Sequence, residues 1–334
     1  MRAAVTMRAA TTAAAAALAA ALLAGCGAAA PDAPGPSAAP EIDRTVAPLE
    51  PALSVTDPAG TTVTVPAPPE RIVCLSGLCD DIVVELGLTP AGTSTPALLA
   101  NPALLGDAAA GVPTVAGSFG SEDVESIAAL DPDLVIGLSG VHEGLRSAVE
   151  GFAPLWLAEP ATWEESVGYL RALGALTGRV EQATAAEGAF RDRLADAVAT
   201  ARETGRADRT VVLMYGSADS IGVDTSASLK GHLLGQLFDY PFEAKGTDLA
   251  TAATFSVEEL LARQPDVALV YSLLFSPDDE TLSAQLADNP VWAQIPAVRD
   301  AQVFEVEPRL WGSGRGTRSL TAVIDEALAL VPGA

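Results

Sequence analysis

Residues 124–139 and 257–272 align without a gap and are identical at six of sixteen positions. The first reads VESIAALDPDLVIGLS and the second VEELLARQPDVALVYS. In each copy an apolar period near 3.6 predicts a helix. Proline stops that helix, because it disfavours helical geometry in the residue before it. Aspartate and then an apolar, strand-like run follow. The copies lie 133 residues apart in a chain of 334. One repeated supersecondary unit at that spacing is no solenoid, but it fits two lobes of related topology.

The surrounding sequence alternates in the same way. Strands are expected at Arg71–Leu75, Ala91–Ser94, Asp133–Leu138, Leu155–Ala158, Thr210–Tyr215, Asp266–Ser272 and Gln302–Val306. Helices are expected at Asp80–Leu86, Val124–Leu130, Trp163–Leu176 and Val257–Gln264. Alternating strand and helix argues for parallel sheets covered on both faces. Between the copies, Arg179–Thr204 contains no proline and has apolar residues at helical spacing (Phe190, Leu194, Ala197, Val198, Ala201). A helix of that length would be roughly 39 Å long. The fold class expected is therefore α/β: two Rossmann-like lobes with mostly parallel sheets, bridged by one long helix, with a ligand cleft between the lobes. The boundaries expected are 53–178 for the first lobe, 179–205 for the bridge and 206–334 for the second lobe.

Ahead of the lobes, Arg2 and Arg8 precede an Ala/Leu run that ends at Leu23-Ala24-Gly25-Cys26. The run is shorter than a membrane span and ends in small residues that a peptidase accepts. Residues 1–26 thus read as a signal peptide, and the Leu-Ala-Gly-Cys order resembles the lipobox of bacterial lipoproteins. That resemblance makes Cys26 the lipidated residue; the plain alternative is a secretory signal with an incidental cysteine. Residues 27–52 are rich in Ala and Pro and are expected to form an extended tether. The protein is then anchored by lipid on the extracytoplasmic face of the cell membrane.

Charge narrows the partners. The formal net charge is −24, and −26 without Arg2 and Arg8. Such a surface repels phosphate backbones, so no nucleic acid partner is expected. The only histidines, His142 and His232, lie 90 positions apart. A zinc or manganese receptor needs about three His and acidic ligands together, so no metal site and no cofactor are expected. Cys74 and Cys79, spaced C-x₄-C, form either a disulfide or two buried thiols; the sequence leaves both open.

From residue 53 to 330 the chain resembles class III ABC-transporter substrate-binding proteins of the iron–siderophore, haem and cobalamin type. The resemblance rests on Val55-Thr56-Asp57-Pro58-Ala59-Gly60, Pro69-Glu70-Arg71-Ile72-Val73, the helix–Pro–Asp–strand unit from Glu125, Leu173-Gly174-Ala175-Leu176-Thr177-Gly178, and Asn289-Pro290-Val291-Trp292 leading to Gln302-Val303-Phe304. It implies a monomeric extracytoplasmic receptor that captures a ferric siderophore and delivers it to an ABC permease and its ATPase. It also implies that Glu125 and Glu258, the second residue of each repeat copy, dock on permease arginines. Two separated carboxylates can orient a receptor on a two-fold partner. Without the resemblance they read as helix-start acids favoured by the helix dipole.

Ligands of parallel sheets meet the carboxyl ends of the strands. The large or cationic residues in those loops are Phe119, His142, Tyr215, Phe275, Arg309, Trp311 and Arg315. Glu307–Arg318 carries three arginines in ten positions within an acidic chain, with glycines that permit close approach and an indole face. Such a set suits a bulky anionic, aromatic chelate; the plain alternative is a loop offsetting the protein's own charge. His142, with Tyr215 as a phenolate partner, makes haem an alternative cargo, and cobalamin is another of the same fold. An enzyme is not expected. A secreted α/β hydrolase needs a G-x-S-x-G elbow and a late histidine, and the chain has neither.

Overall fold

Ile72, Cys74, Leu134, Ile136 and Trp156 pack into one apolar cluster, while Val73, Val135, Leu155 and Leu157 pack into another. This alternation is the strand period of two, and apolar residues at both phases mean that the sheet is covered on both faces. The computed structural model describes residues 41–245, 252–272 and 278–333. In it the first sheet runs Gly92–Thr93, Ile72–Cys74, Leu134–Gly137, Leu155–Leu157, with every pair of neighbours parallel. The second sheet sets Val267–Tyr271 between Val211–Ser217 and Val303–Glu305, again in parallel. Two further strands, Ser220–Asp224 and Ala252–Phe255, extend it antiparallel. These two were not expected from sequence. Only a two-residue turn joins Ser217 to Ser220, too short for a crossover helix, so that strand must turn back on its neighbour.

The repeat occupies the same place in both sheets. Leu134 pairs with Ile72, and its counterpart Val267 pairs with Val211. Asp131 and Gln264, at the ends of the two repeat helices, share a left-handed backbone with φ of 48° and 50°. Asp133 accepts the amides of Glu70 at 2.8 Å and Arg71 at 3.0 Å, and Asp266 accepts that of Thr210 at 3.0 Å. Each aspartate thus satisfies the backbone entering the neighbouring strand. That shared task accounts for the Pro-Asp pair in each copy.

The bridging helix spans Val180–Glu203. Ala183 joins a first-lobe cluster, whereas Phe190, Leu194, Ala197 and Val198 join the second-lobe core. One rigid element therefore takes part in both cores. Its buried Glu187 is held by Arg171 and by Arg191, the latter at 2.8 Å, as a buried charge requires.

The tether expectation fails from Glu41 onward, because this segment lies strapped along the bridging helix. Ile42 is buried in the second-lobe core, and Arg44 pairs with Asp192 at 2.9 Å and Asp196 at 2.6 Å. Arg191 donates to the Asp43 carbonyl at 2.9 Å, and Arg171 to those of Ala47 and Pro48 at 3.1 and 3.0 Å. Arginines on the helices satisfy carbonyls of an extended, proline-containing chain that composition alone marks as free. The signal segment with Cys26, and residues 27–40, lie outside the described residues.

Cys74, ending a strand, and Cys79, in helix Gly77–Glu85, are joined by a disulfide. No helix among the described residues is long and apolar enough to cross a membrane.

Candidate functional site

Where the two lobes meet, a cavity of about 60 Å³ lies against Glu159 and Pro160 of the first lobe and Asp224, Lys230, Tyr271, Trp311 and Arg315 of the second. Glu159 follows strand Leu155–Leu157, and Tyr271 ends Val267–Tyr271, so both come from strand carboxyl ends. Lys230 is placed by helix Leu229–Leu237, whose start is fixed by Ser228 accepting the Gly231 amide at 3.0 Å. A larger hollow of about 630 Å³ lies between Glu41–Arg44 and residues 195–202 of the bridging helix and is no part of this cleft.

The cavity is lined by charge. Lys230 is 4% exposed, and its ammonium donates to the Gly314 carbonyl. Burial, and then the neighbouring Arg315, pull its pKa down to about 7. Asp224 accepts the Tyr271 hydroxyl at 2.8 Å, and burial pushes its carboxyl pKa up. Tyr271 stacks on Tyr215 with ring centres 5.0 Å apart and planes at 14°. Burial, then the charge of Asp224, raise both phenols above their ordinary range, so both stay protonated at neutral pH. Arg315 donates to the Ser313 carbonyl at 3.0 Å and faces Glu159 of the other lobe at 3.4 Å. Glu159 Oε2 is buried without a hydrogen-bond partner.

The residues singled out in the sequence fall at several different places. Arg315 and Trp311 line the cavity and Tyr215 stacks against it. Trp311, however, is 1% exposed and its indole N–H donates to Glu326 at 2.7 Å, so it is mainly a core residue. Arg309 is exposed at the start of helix Pro308–Ser313, with no side-chain hydrogen bond or ion pair among the described residues. Gly312 lines the cavity, but the other two glycines of this segment serve packing. A Cβ on Gly314 would lie 2.5 Å from Ser319, and one on Gly316 would lie 2.2 Å from Asp81. They allow the protein to pack on itself.

Phe119 is 65% exposed, at the tip of hairpin Gly117–Ser118 and Ser121–Glu122. Its ring meets His142 edge-on at 5.7 Å. His142 itself is fully buried, contrary both to the cleft-facing loop position expected of a haem ligand and to a solvated loop histidine. Its Nδ1 accepts the Leu138 amide at 2.8 Å, so Nε2 carries the proton and lies 3.2 Å from Glu122. Burial opposes ionisation of Glu122, but the His142 hydrogen bond and backbone amides outweigh it and hold the pKa low. Phe275 lies outside the described residues.

Glu125 and Glu258 are both exposed, each the second residue of its repeat helix. Asp123 and Ser256 cap the two helices. A helix returning to a parallel strand starts at the carboxyl edge of the sheet, so both glutamates stand on that edge. Neither carboxylate has a partner among the described residues. No group of three or more His, Cys, Asp or Glu among the described residues is placed to hold a metal ion.

Sequence reasoning missed Lys230, Asp224, Tyr271 and Glu159. The available signal was Lys230 itself, one of only two lysines in the chain, two residues after an Asp-Thr-Ser-Ala-Ser run that reads as a helix start.

With this geometry in hand, the family is clear. Residues 72–310 match the family model described as periplasmic binding protein, and the chain belongs to that family. It is 23% identical over 293 residues to the putative ABC transporter substrate-binding lipoprotein YhfQ of Bacillus subtilis, covering 84% of this chain and 89% of that one. It is 23% identical to the Fe(3+)-citrate-binding protein YfmC of the same organism, over 79% of this chain and 81% of that one. Among solved structures, the Fe3+–Desferal-bound siderophore binding protein FhuD of Vibrio cholerae superposes with a TM-score of 0.64 at 21% identity, over 79% of this chain and 99% of that one.

Proposed function

Taking that family as premise, we propose that this protein is the extracytoplasmic receptor of an ABC iron importer, capturing a ferric siderophore between its lobes and passing it to a membrane permease. The observation that carries this reading is the gathering of Lys230 and Arg315 at one cavity where the lobes of a strongly acidic chain meet. Iron chelates are often anionic, and a local reversal of sign is what their recognition requires. The names of YfmC and FhuD, both ferric-chelate binders, support the choice of cargo.

The mechanism is binding without bond-making. The cavity of about 60 Å³ is the size of roughly two water molecules, so it takes one group of a chelate. The rest lies outside it, and we assign the exposed Phe119 and Arg309 to that part of the ligand as an aromatic face and a guanidinium. Glu125 and Glu258 then seat the loaded receptor on permease arginines. Cys26, by the same reading, holds it to the membrane. An axial haem role for His142 has no support, because both its ring nitrogens are engaged in the interior.

Titration of the full-length protein in detergent with ferric chelates, followed by tryptophan fluorescence, tests the reading. A Kd of about 1 μM or tighter is expected for at least one ferric siderophore. No response across hydroxamate, catecholate and carboxylate chelates would remove it.

A further inference from the structure

The interlobe cavity holds a buried cation that the sequence did not single out. Of the 19 basic residues only Lys230 and Lys245 are lysines, and Lys230 is buried against the interlobe cavity. An ammonium has three N–H donors, and the Gly314 carbonyl takes one. The other polar groups around the void are already committed. The Tyr271 hydroxyl goes to Asp224 and the Trp311 indole to Glu326. Arg315 holds loop carbonyls and makes only a long 3.4 Å contact with Glu159 across the lobes. The remaining Glu159 oxygen is buried and unpaired. Asp224 and Glu159 line the void too, yet no hydrogen bond among the described residues joins either to Lys230, whose remaining N–H donors are left for an acceptor it can share with Arg315.

We propose that this cavity is a carboxylate subsite, in which Lys230 and Arg315 grip one carboxylate arm of the chelate, so that the cargo belongs to the hydroxycarboxylate class of ferric chelates. The inference rests on the receptor reading and adds the chemistry of its ligand. Size fits: about 60 Å³ accommodates a carboxylate and excludes an iron-centred chelate. Charge fits as well. A compact ammonium buried beside a guanidinium is stabilised by an entering anion, and a neutral hydroxamate arm gives it less. The start of helix Leu229–Leu237 lines the same cavity, and its dipole adds to the preference for an anion. Binding exchanges the Glu159–Arg315 contact between the lobes for one made through the ligand. Glu159, freed from Arg315, can turn to solvent, since its side chain is 35% exposed.

The test titrates full-length wild-type protein, Lys230→Gln and Arg315→Gln in detergent with ferric citrate and, separately, with ferric desferrioxamine. Wild type is expected to favour ferric citrate by about tenfold or more, and each substitution to weaken ferric citrate by about tenfold or more and ferric desferrioxamine by clearly less, so that the preference shrinks. Near-ultraviolet circular dichroism checks folding, and Arg315→Gln, at a partly exposed position, carries the test if Lys230→Gln does not fold. A wild-type preference for ferric desferrioxamine, or an equal loss for both chelates, overturns the carboxylate subsite and leaves the receptor reading standing. Failure of wild type to bind any ferric chelate removes the receptor reading, and the subsite with it.

Discussion

Asp81 and Ser319 join the two lobes: Asp81 Oδ2 accepts the Ser319 amide at 2.8 Å while Oδ1 accepts that of Arg318 at 3.1 Å. A carboxylate from helix Gly77–Glu85 of the first lobe thus caps helix Thr317–Leu330 of the second. Gly316 is required beside it, since any Cβ there would strike Asp81. On the same seam, Ser166 Oγ donates to the Arg315 carbonyl at 2.8 Å and Arg318 Nε to the Ala103 carbonyl at 2.8 Å. With the bridging helix, these bonds tie the two lobes together beside the cleft.

Removing the cap should therefore destabilise the whole protein. Asp81→Ala leaves two buried amides unpaired and is expected to cost about 1–3 kcal/mol. Gly316→Ala should act in the same direction by displacing Asp81. Urea unfolding at neutral pH measures both, and unchanged midpoints would contradict an interlobe cap.

The helix that carries Asp81 also makes stability depend on pH. Burial pushes Asp80 up to about 7 against the pull of the Thr95 and Thr93 hydroxyls, and burial followed by the charge of Asp81 pushes Glu85 up to about 7. These acids keep a proton in the native state that the unfolded chain has already lost. Their contribution is complete below about pH 4 and is lost as pH rises through about 7, with a slope of at most about 1.4 kcal/mol per pH unit for each group. Lys230, held down to about 7 by burial and Arg315, acts in the next window. Between about pH 7 and 10.5 the unfolded chain binds the extra proton, so stability rises with pH. Unfolding free energy measured from about pH 5 to 9 should pass through a minimum near pH 7. Asp80→Asn should flatten the acid limb and Lys230→Met the alkaline one. A monotonic rise across this range in wild type would refute the assignment.

Charge reversal separates docking from capture. Glu125→Arg with Glu258→Arg is expected to abolish uptake by the cognate permease in cells and to leave chelate affinity within about twofold, since both side chains are exposed and unpaired. Transport at the wild-type rate would remove the docking role.

Phe119 tests the rim of the cleft. Phe119→Ala deletes an exposed ring that contributes little to the core, so the melting temperature should not move. Chelate affinity should fall about threefold to tenfold, the range of one aromatic contact. Unchanged affinity would place the ligand elsewhere in the cleft.

Much of this architecture was legible because backbone chemistry leaves strong marks. The Pro-Asp pair of each repeat copy announces a helix stop and an amide acceptor, and both copies do that work. Trp163–Leu176 begins and ends where its Thr-x-x-Glu start and following Thr-Gly predict. The long helix was visible from Phe190, Leu194, Ala197 and Val198, whose spacing matches its buried face. Side-chain partnerships across long separations leave no such mark. Nothing local distinguishes Asp81 from other acids of the chain, and its partners lie 237 and 238 positions away. Trp311 and Arg309, four to six residues from Arg315, looked alike as ligand contacts, yet one is buried and bonded to Glu326 while the other is exposed. Lys230 stayed hidden because strand Ser220–Asp224, which sets the loop before it, runs antiparallel and breaks the alternation that located the parallel strands. The strap was misread because arginines from two helices, Arg171 and Arg191, satisfy its carbonyls.

The most direct measurement is calorimetric titration of the full-length protein in detergent with a panel of ferric chelates. One site per protein with a Kd of about 1 μM or tighter is expected for at least one of them, and loss of hydroxycarboxylate-chelate binding in the Lys230→Gln, Arg315→Gln double variant. Heat changes no larger than dilution for every chelate, with the protein folded, would contradict the account.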